Sequence, residues 1–135
     1  MRREFIIDGK NFYDIEGFYC EIDKLLAKDL TWKTGHNLDA FNDLLRGGFG
    51  VHEYNEPILL IWKNYKKSLA DFSYEATAQY YETMLTRCHP TNIPHVKVLL
   101  DDARNKKGDT LMDIIVGIIS DKNNSGHDCK LVTID

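Results

Sequence analysis

Hydrophobic and polar positions along the chain alternate between a strand-like and a helix-like period, which predicts strands separated by helices. Phe5–Ile7, followed by the turn signal Asp8-Gly9, is typical of a short strand. The continuous apolar run Ile58–Trp62 predicts a strand covered on both faces. A third strand near the end of the sequence carries Leu131, Val132 and Ile134. We expect these three residues to be buried beside the strand Ile58–Trp62. Because helices separate the strands, the sheet should be mostly parallel.

Helical periodicity predicts the elements between these strands. A helix near 15–28 carries a hydrophobic stripe with Asp14 as a candidate N-cap, and a short helix is expected over 64–70. Another helix is expected from Ser73, with Pro90 as the residue that ends it. Thr110 and Asp113 have capping-box spacing and open a strongly apolar helix, expected to be buried nearly all round. Residues 96–100 remain unassigned, and Asn123–Gly126 are expected to form a turn.

Length and charge narrow the class of protein. With 135 residues the chain fits one domain over 1–135, and its net charge of −4 argues against a general nucleic-acid binder. No apolar run approaches a membrane span, and the N-terminal residues do not fit a signal peptide. The three separated cysteines form no disulfide framework, and Cys20 and Cys129 are expected to be small buried hydrophobes. We therefore expect a cytoplasmic protein in a reducing compartment.

Motifs that would indicate catalysis are missing from the sequence. There is no Walker A loop, dinucleotide fingerprint or nucleophile elbow. No pair of the five histidines has the spacing usual for metal ligands, and Cys88-His89 is more typical of a helix end. Asp101-Asp102 fits a solvated surface better than a Mg²⁺ site. The expectation is a protein that is not an enzyme and has no cofactor or metal.

The segment 35–48 is the most informative part of the sequence. It predicts a helix near 38–46, with Asn37 as N-cap, Gly47 as the terminating residue and a buried stripe of Leu38, Phe41 and Leu45. Asp39 and Asp43 lie four residues apart and share the outer face, although like charges at that spacing destabilise a helix slightly. An ordinary solvated acidic face would also explain this pair.

One further acid stands out near the end of the chain. Asp121 falls in the last predicted turn of the apolar helix, where a negative charge opposes the helix dipole. Fraying into the next turn is one explanation. The other is a third acid placed near Asp39 and Asp43.

The residues named so far resemble the barstar-like family of intracellular ribonuclease inhibitors. The likeness starts at Ile6–Lys10, is most specific at Gly35–Leu45 with its Asn-Leu-Asp-Ala core, and resumes at Pro57–Trp62 and from Ser120 through the last strand. It implies an α/β fold with a three-stranded parallel sheet packed with helices. Residues 64–108 would then form an expanded helical region between the second and third strands.

The resemblance also implies a function and a site. Asp39 and Asp43 match the acids of the family's inhibitory helix, Gly35 and Asn37 match its loop and cap, and Asp121 matches a peripheral acid. Lys33 and Asn42 stand where the inhibitor that gives the family its name carries aromatic residues, which favours a different partner. The full set of expected partner-binding residues is Lys33, Gly35, His36, Asn37, Asp39, Asn42, Asp43, Arg46 and Asp121.

The expected partner is a ribonuclease with a basic active-site cleft, of the bacterial toxin type, and the chain would act as its immunity protein. Neither direct nucleic-acid binding nor membrane binding is expected. Two alternatives stay open: a regulatory interaction module with the same fold and a non-nuclease partner, or a small enzyme that holds a metal with Asp39 and Asp43. Metal bound stoichiometrically after purification would favour the enzyme, and adjacency to a secreted nuclease gene would favour inhibition.

Overall fold

The computed structural model of the protein describes residues 2–27, 36–47, 52–120 and 127–135. Its three strands form one sheet in the order β1-β2-β3, with both pairs parallel. The strands are β1 (Arg3–Asp8), β2 (Ile58–Lys63) and β3 (Cys129–Ile134). The helices are α1 (Ile15–Leu26), α2 (Leu38–Arg46), α3 (Tyr65–Asp71), α4 (Tyr74–Leu85), α5 (Ile93–Arg104) and α6 (Leu111–Ile119). The α/β fold with a helical region between β2 and β3 is confirmed.

The main core lies between the sheet and the helices packed on one of its faces. Trp62 of β2 is fully buried, its ring stacks on Phe18 of α1 at 5.5 Å between centroids, and its indole N–H donates to Ser68 Oγ at 3.0 Å. Phe41 of α2 also contacts Phe18, edge to face, at 5.1 Å between centroids. One aromatic cluster therefore connects β2, α1 and α2, and fixes α2 to the body of the protein.

The other face of the sheet is open, which corrects the expectation that the strands are covered on both faces. Ile6, Ile61 and Val132 share a register on this face, where Ile6 and Val132 are 45% and 40% exposed and Ile61 is half-buried. β3 is an edge strand, so Leu131 is half-buried and Ile134 is 46% exposed. The prediction that all three of Leu131, Val132 and Ile134 are buried was therefore wrong for Val132 and Ile134, and Leu131 is buried only in part.

The helices follow the sequence pattern closely, with three differences. Cys20 is exposed, because the buried face of α1 is formed by Phe18, Tyr19, Ile22 and Leu26 and Cys20 lies off it. The apolar α6 is buried on one face and half-buried on the other, rather than buried all round. α4 ends at Leu85, before Pro90, which instead starts a short 3₁₀ turn.

The segment left unassigned in the sequence is part of α5. α5 packs against α4 around a second small hydrophobic cluster, whose buried members are Tyr81, Val96, Leu100 and Ala103. α4 also packs on α6, through which the hairpin of α4 and α5 joins the main body. The expanded region thus adds a helical hairpin to the side of the domain.

Candidate protein-interaction site

Both ends of α2 are fixed by local geometry. Asn37 caps the helix, since its Oδ1 accepts from the backbone N–H of Ala40 at 2.7 Å. Gly47 ends it at φ +80°, where a Cβ would lie 2.2 Å from the backbone oxygen of Glu53. Phe41, Leu44 and Leu45 bury the inner face, while Leu38 is half-buried. The predicted cap, termination and length of the helix are confirmed.

Asp39 and Asp43 lie on successive turns of the exposed face of α2. The side chain of Asp43 is 58% exposed and lies 3.8 Å from Arg46, an ion pair that solvent screens strongly. Asp39 acts on tyrosines of both neighbouring helices: burial is the main cause of the raised pKa of Tyr19 in α1 and of Tyr80 in α4, and the negative charge of Asp39 adds to it. The helix therefore presents two carboxylates on a rigid support.

His36 lies directly before the cap of α2 and contacts α1 through both ring nitrogens. Its Nδ1 is hydrogen-bonded to Glu16, and its Nε2 lies 2.8 Å from Asp23 Oδ2. The hydrogen bond to Glu16 is the main cause of a raised pKa at His36, and the contact with Asp23 adds to it. The sequence suggested His36 as a partner contact and did not identify Glu16 or Asp23, whose i, i+7 spacing on α1 was the one available signal.

The remaining expected site residues have mixed outcomes. Arg46 lies in the last turn of α2 beside Asp43. Asn42 is half-buried, and its Oδ1 is buried without a hydrogen-bond partner in the described part of the chain. Lys33, Gly35 and Asp121 lie outside the described residues. The structure thus brings His36, Asn37, Asp39, Asn42, Asp43 and Arg46 together on one helix and its cap.

A cleft of about 660 Å³ opens beside the N-terminus of α2, between the start of α1 and the length of α4. Glu16 and His36 line it on one side, and Glu75 and Tyr80 line it on the other. Carboxylates in the first turn of a helix are stabilised by the helix dipole, which accounts for Glu16 and Glu75 at these positions. Helix α4 therefore lies next to the N-terminus of the acidic helix.

Among the described residues, no group of three or more histidine, cysteine, aspartate or glutamate side chains could hold a metal ion. In the same residues, no helix is long and apolar enough to cross a membrane.

Cys129 is half-buried, and burial raises the pKa of its thiol to about 12. That thiol is therefore protonated and a poor nucleophile at neutral pH.

We predict that replacing Asn37 with alanine destabilises the protein by about 1 kcal/mol. The change removes the acceptor that caps the first turn of α2, and the backbone N–H of Ala40 loses its partner. Urea unfolding of the variant measures the effect. Asn37→Asp is the matched control, because it retains a capping oxygen and should stay close to the parent. Equal losses in both variants would show that the cap is not the cause.

The fold and this helix define a class: a small α/β protein that presents an acidic helix from a three-stranded parallel sheet. The family model described as Barstar (barnase inhibitor) matches residues 2–92. The chain therefore belongs to the barstar family, whose members are inhibitors rather than enzymes. A comparison with curated protein sequences found no significant match. The matched range contains β1, β2 and α1–α4, whereas α5, α6 and β3 lie beyond it.

Proposed function

We propose that this protein is an intracellular ribonuclease inhibitor that blocks the active site of a cognate ribonuclease with α2. The observation that carries the proposal is the pair of exposed carboxylates, Asp39 and Asp43, on a helix that is capped at both ends and anchored by Phe41. This helix lies inside the range that matches the inhibitor family. The protein would act by binding and would need no catalytic residue, metal or cofactor.

The chemistry of a ribonuclease site explains why such a helix would inhibit. A cleft that binds RNA phosphates presents lysine, arginine or histidine donors, and carboxylates can accept charge-assisted hydrogen bonds from them. Because α2 is already ordered, its carboxylates lose little conformational entropy when they bind. The same negative face disfavours direct contact with RNA, so we propose a protein partner and no nucleic-acid ligand.

We propose that the expanded region adjusts which ribonuclease is bound. In the hairpin of α4 and α5, helix α4 lies beside the N-terminus of α2 across the cleft lined by Glu16 and Glu75. A partner that covers α2 would meet this hairpin as well. A secreted toxin of competing bacteria is the kind of ribonuclease we propose, with the present protein as the cytoplasmic immunity protein.

The proposal is tested by capture and assay. The protein, immobilised, is used to capture partners from cells that produce it, and the ribonuclease activity of the captured fraction is measured with and without added inhibitor. We expect a ribonuclease that is inhibited in a 1:1 complex. A captured partner without nuclease activity would instead favour a regulatory interaction module on the same fold.

We also predict that association with the ribonuclease slows as salt rises. The net charge of −4 and the exposed carboxylates attract a basic partner, and charges are screened beyond about 10 Å at 0.1 M salt. Stopped-flow association rates should fall by about tenfold or more from low to high salt, with a much smaller change in dissociation. The double variant Asp39→Ala/Asp43→Ala should show a shallower slope, and equal slopes would contradict steering by α2.

A further inference from the structure

We propose that His36 is a positioning residue for the acidic helix: as an imidazolium it bridges Glu16 and Asp23 of α1 and so sets the orientation of α2. This inference rests on the proposed function, because the orientation of α2 matters most if Asp39 and Asp43 meet a partner. It assigns His36 a role within the fold rather than the direct partner contact that the sequence suggested.

The geometry requires the protonated ring. Both ring nitrogens of His36 point at carboxylates, Nδ1 at Glu16 and Nε2 at Asp23. A neutral imidazole has one N–H and one lone pair, so one nitrogen would direct its lone pair at a carboxylate oxygen. The imidazolium donates from both nitrogens and satisfies both acids. His36 therefore donates hydrogen bonds to both Glu16 and Asp23 only when its ring is protonated.

The position of His36 in the chain links this bridge to the acids. His36 is followed by Asn37, which caps α2, and Asp39 lies in the first turn of that helix. Glu16 and Asp23 lie seven residues apart on α1 and contact the same ring. A shift of the ring would move the cap, and with it the first turn of α2. Phe41 anchors the middle of the helix in the core, so His36 acts on its N-terminal end.

The charged and aromatic groups near the His36 ring affect whether the ring is protonated. On α1, the ring faces Glu16, Asp23 and the aromatic ring of Tyr19, whose centroid is 5.7 Å away. The same cleft is also lined by Asp14, Asp71 and Glu75, whose negative charges favour the imidazolium, and by Arg87, whose positive charge opposes it. Among the described residues, Glu16 and Asp23 are the two acids hydrogen-bonded to the ring. The raised pKa of His36, caused first by the bond to Glu16, agrees with this arrangement.

The sign of the pH dependence follows from this. Because the folded state raises the pKa of His36 above its usual value of about 6.5, the bridge stabilises the fold fully below that value. The stabilisation is lost as pH rises through the pKa of the folded protein. The positioning effect should follow the same curve, present at pH 6 and lost at higher pH.

Nuclear magnetic resonance tests the bridge without any partner. We expect the His36 ring to titrate above its usual range in the parent, and at lower pH in Glu16→Gln and in Asp23→Asn. Amide resonances of Asn37, Asp39 and Ala40 should titrate with the same midpoint. His95 on α5, which is exposed, provides a control histidine in the same spectra. Amides of α2 that do not follow the His36 midpoint would overturn the proposal.

Binding to the captured ribonuclease tests the consequence for inhibition. The dissociation constant of His36→Gln should exceed that of the parent on the order of tenfold at pH 6, and the two should converge as pH rises. Glu16→Gln/Asp23→Asn, which keeps His36, should reproduce this pH-dependent ratio. Titration of the partner itself cancels in each ratio.

The resonance titration and the binding measurement together separate failure of this proposal from failure of the proposed function. A weaker dissociation constant that is independent of pH would indicate a direct or merely structural role for His36 and overturn the inference, as would no change at all. If the protein inhibits no ribonuclease, the proposed function fails, and the resonance titration of α2 alone decides whether His36 positions the helix.

Discussion

Replacing Asp39 or Asp43 with alanine is expected to weaken inhibition of the cognate ribonuclease by about 30-fold or more. Each change leaves cationic groups of the partner buried without an acceptor, and a lost hydrogen bond between charged groups corresponds to about 2 kcal/mol. The fold should be almost unaffected, within roughly 1 kcal/mol, because both side chains are exposed and neither caps the helix. Inhibition constants and melting curves for each variant measure the two effects.

The matched control is Glu4→Ala, which removes an exposed acid from β1, outside both α2 and the hairpin of α4 and α5. This variant has the same change in net charge as Asp39→Ala, so it separates a local contact from a general loss of negative charge. We expect it to inhibit like the parent. If Asp39→Ala and Asp43→Ala also inhibit like the parent, α2 is an ordinary solvated face.

Replacing Trp62 with alanine is expected to destabilise the protein by about 3–5 kcal/mol. The indole is fully buried, stacks on Phe18 and donates to Ser68, so its removal leaves a cavity and a buried hydroxyl without its partner. Because Phe18 also supports Phe41, the anchoring of α2 should loosen as well. Urea unfolding followed by circular dichroism measures the loss in free energy.

Tyr13→Ala provides the comparison for this change. Tyr13 is an aromatic residue that is 75% exposed, and exposed substitutions usually change stability by less than about 0.5 kcal/mol. A Trp62→Ala variant as stable as Tyr13→Ala would mean that the aromatic cluster does not hold the fold together as described.

Local signals in the sequence predicted the helix ends well. Asn37 and Gly47 bound α2, and Thr110 with Asp113 forms the capping box of α6, because caps depend on residues three or four positions apart. The α5 segment carried a similar signal, since Val96, Leu100 and Ala103 follow a helical period and are all buried. Its polar flanks and Pro94 concealed that pattern, although proline is well tolerated in the first turn.

Features set by distant contacts could not be predicted from local patterns. An apolar strand has the same pattern whether it lies inside a sheet or at its edge, so the exposure of Val132 depends on the strand order. The bridge from His36 to Glu16 and Asp23 joins residues 13 and 20 positions apart, for which no capping or pairing rule exists. The acidic face of α2 could be predicted, whereas its attachment to α1 could not.

The measurement that tests the central claim most directly is steady-state inhibition of the captured ribonuclease over a range of RNA substrate concentrations. The parent and the isosteric double variant Asp39→Asn/Asp43→Asn are compared, since asparagine preserves the size of each side chain and removes its charge. If α2 occupies the active site, the parent raises the apparent KM without changing kcat, and the double variant loses nearly all inhibition. Inhibition that lowers kcat at saturating RNA, or that persists undiminished in the double variant, would contradict the account.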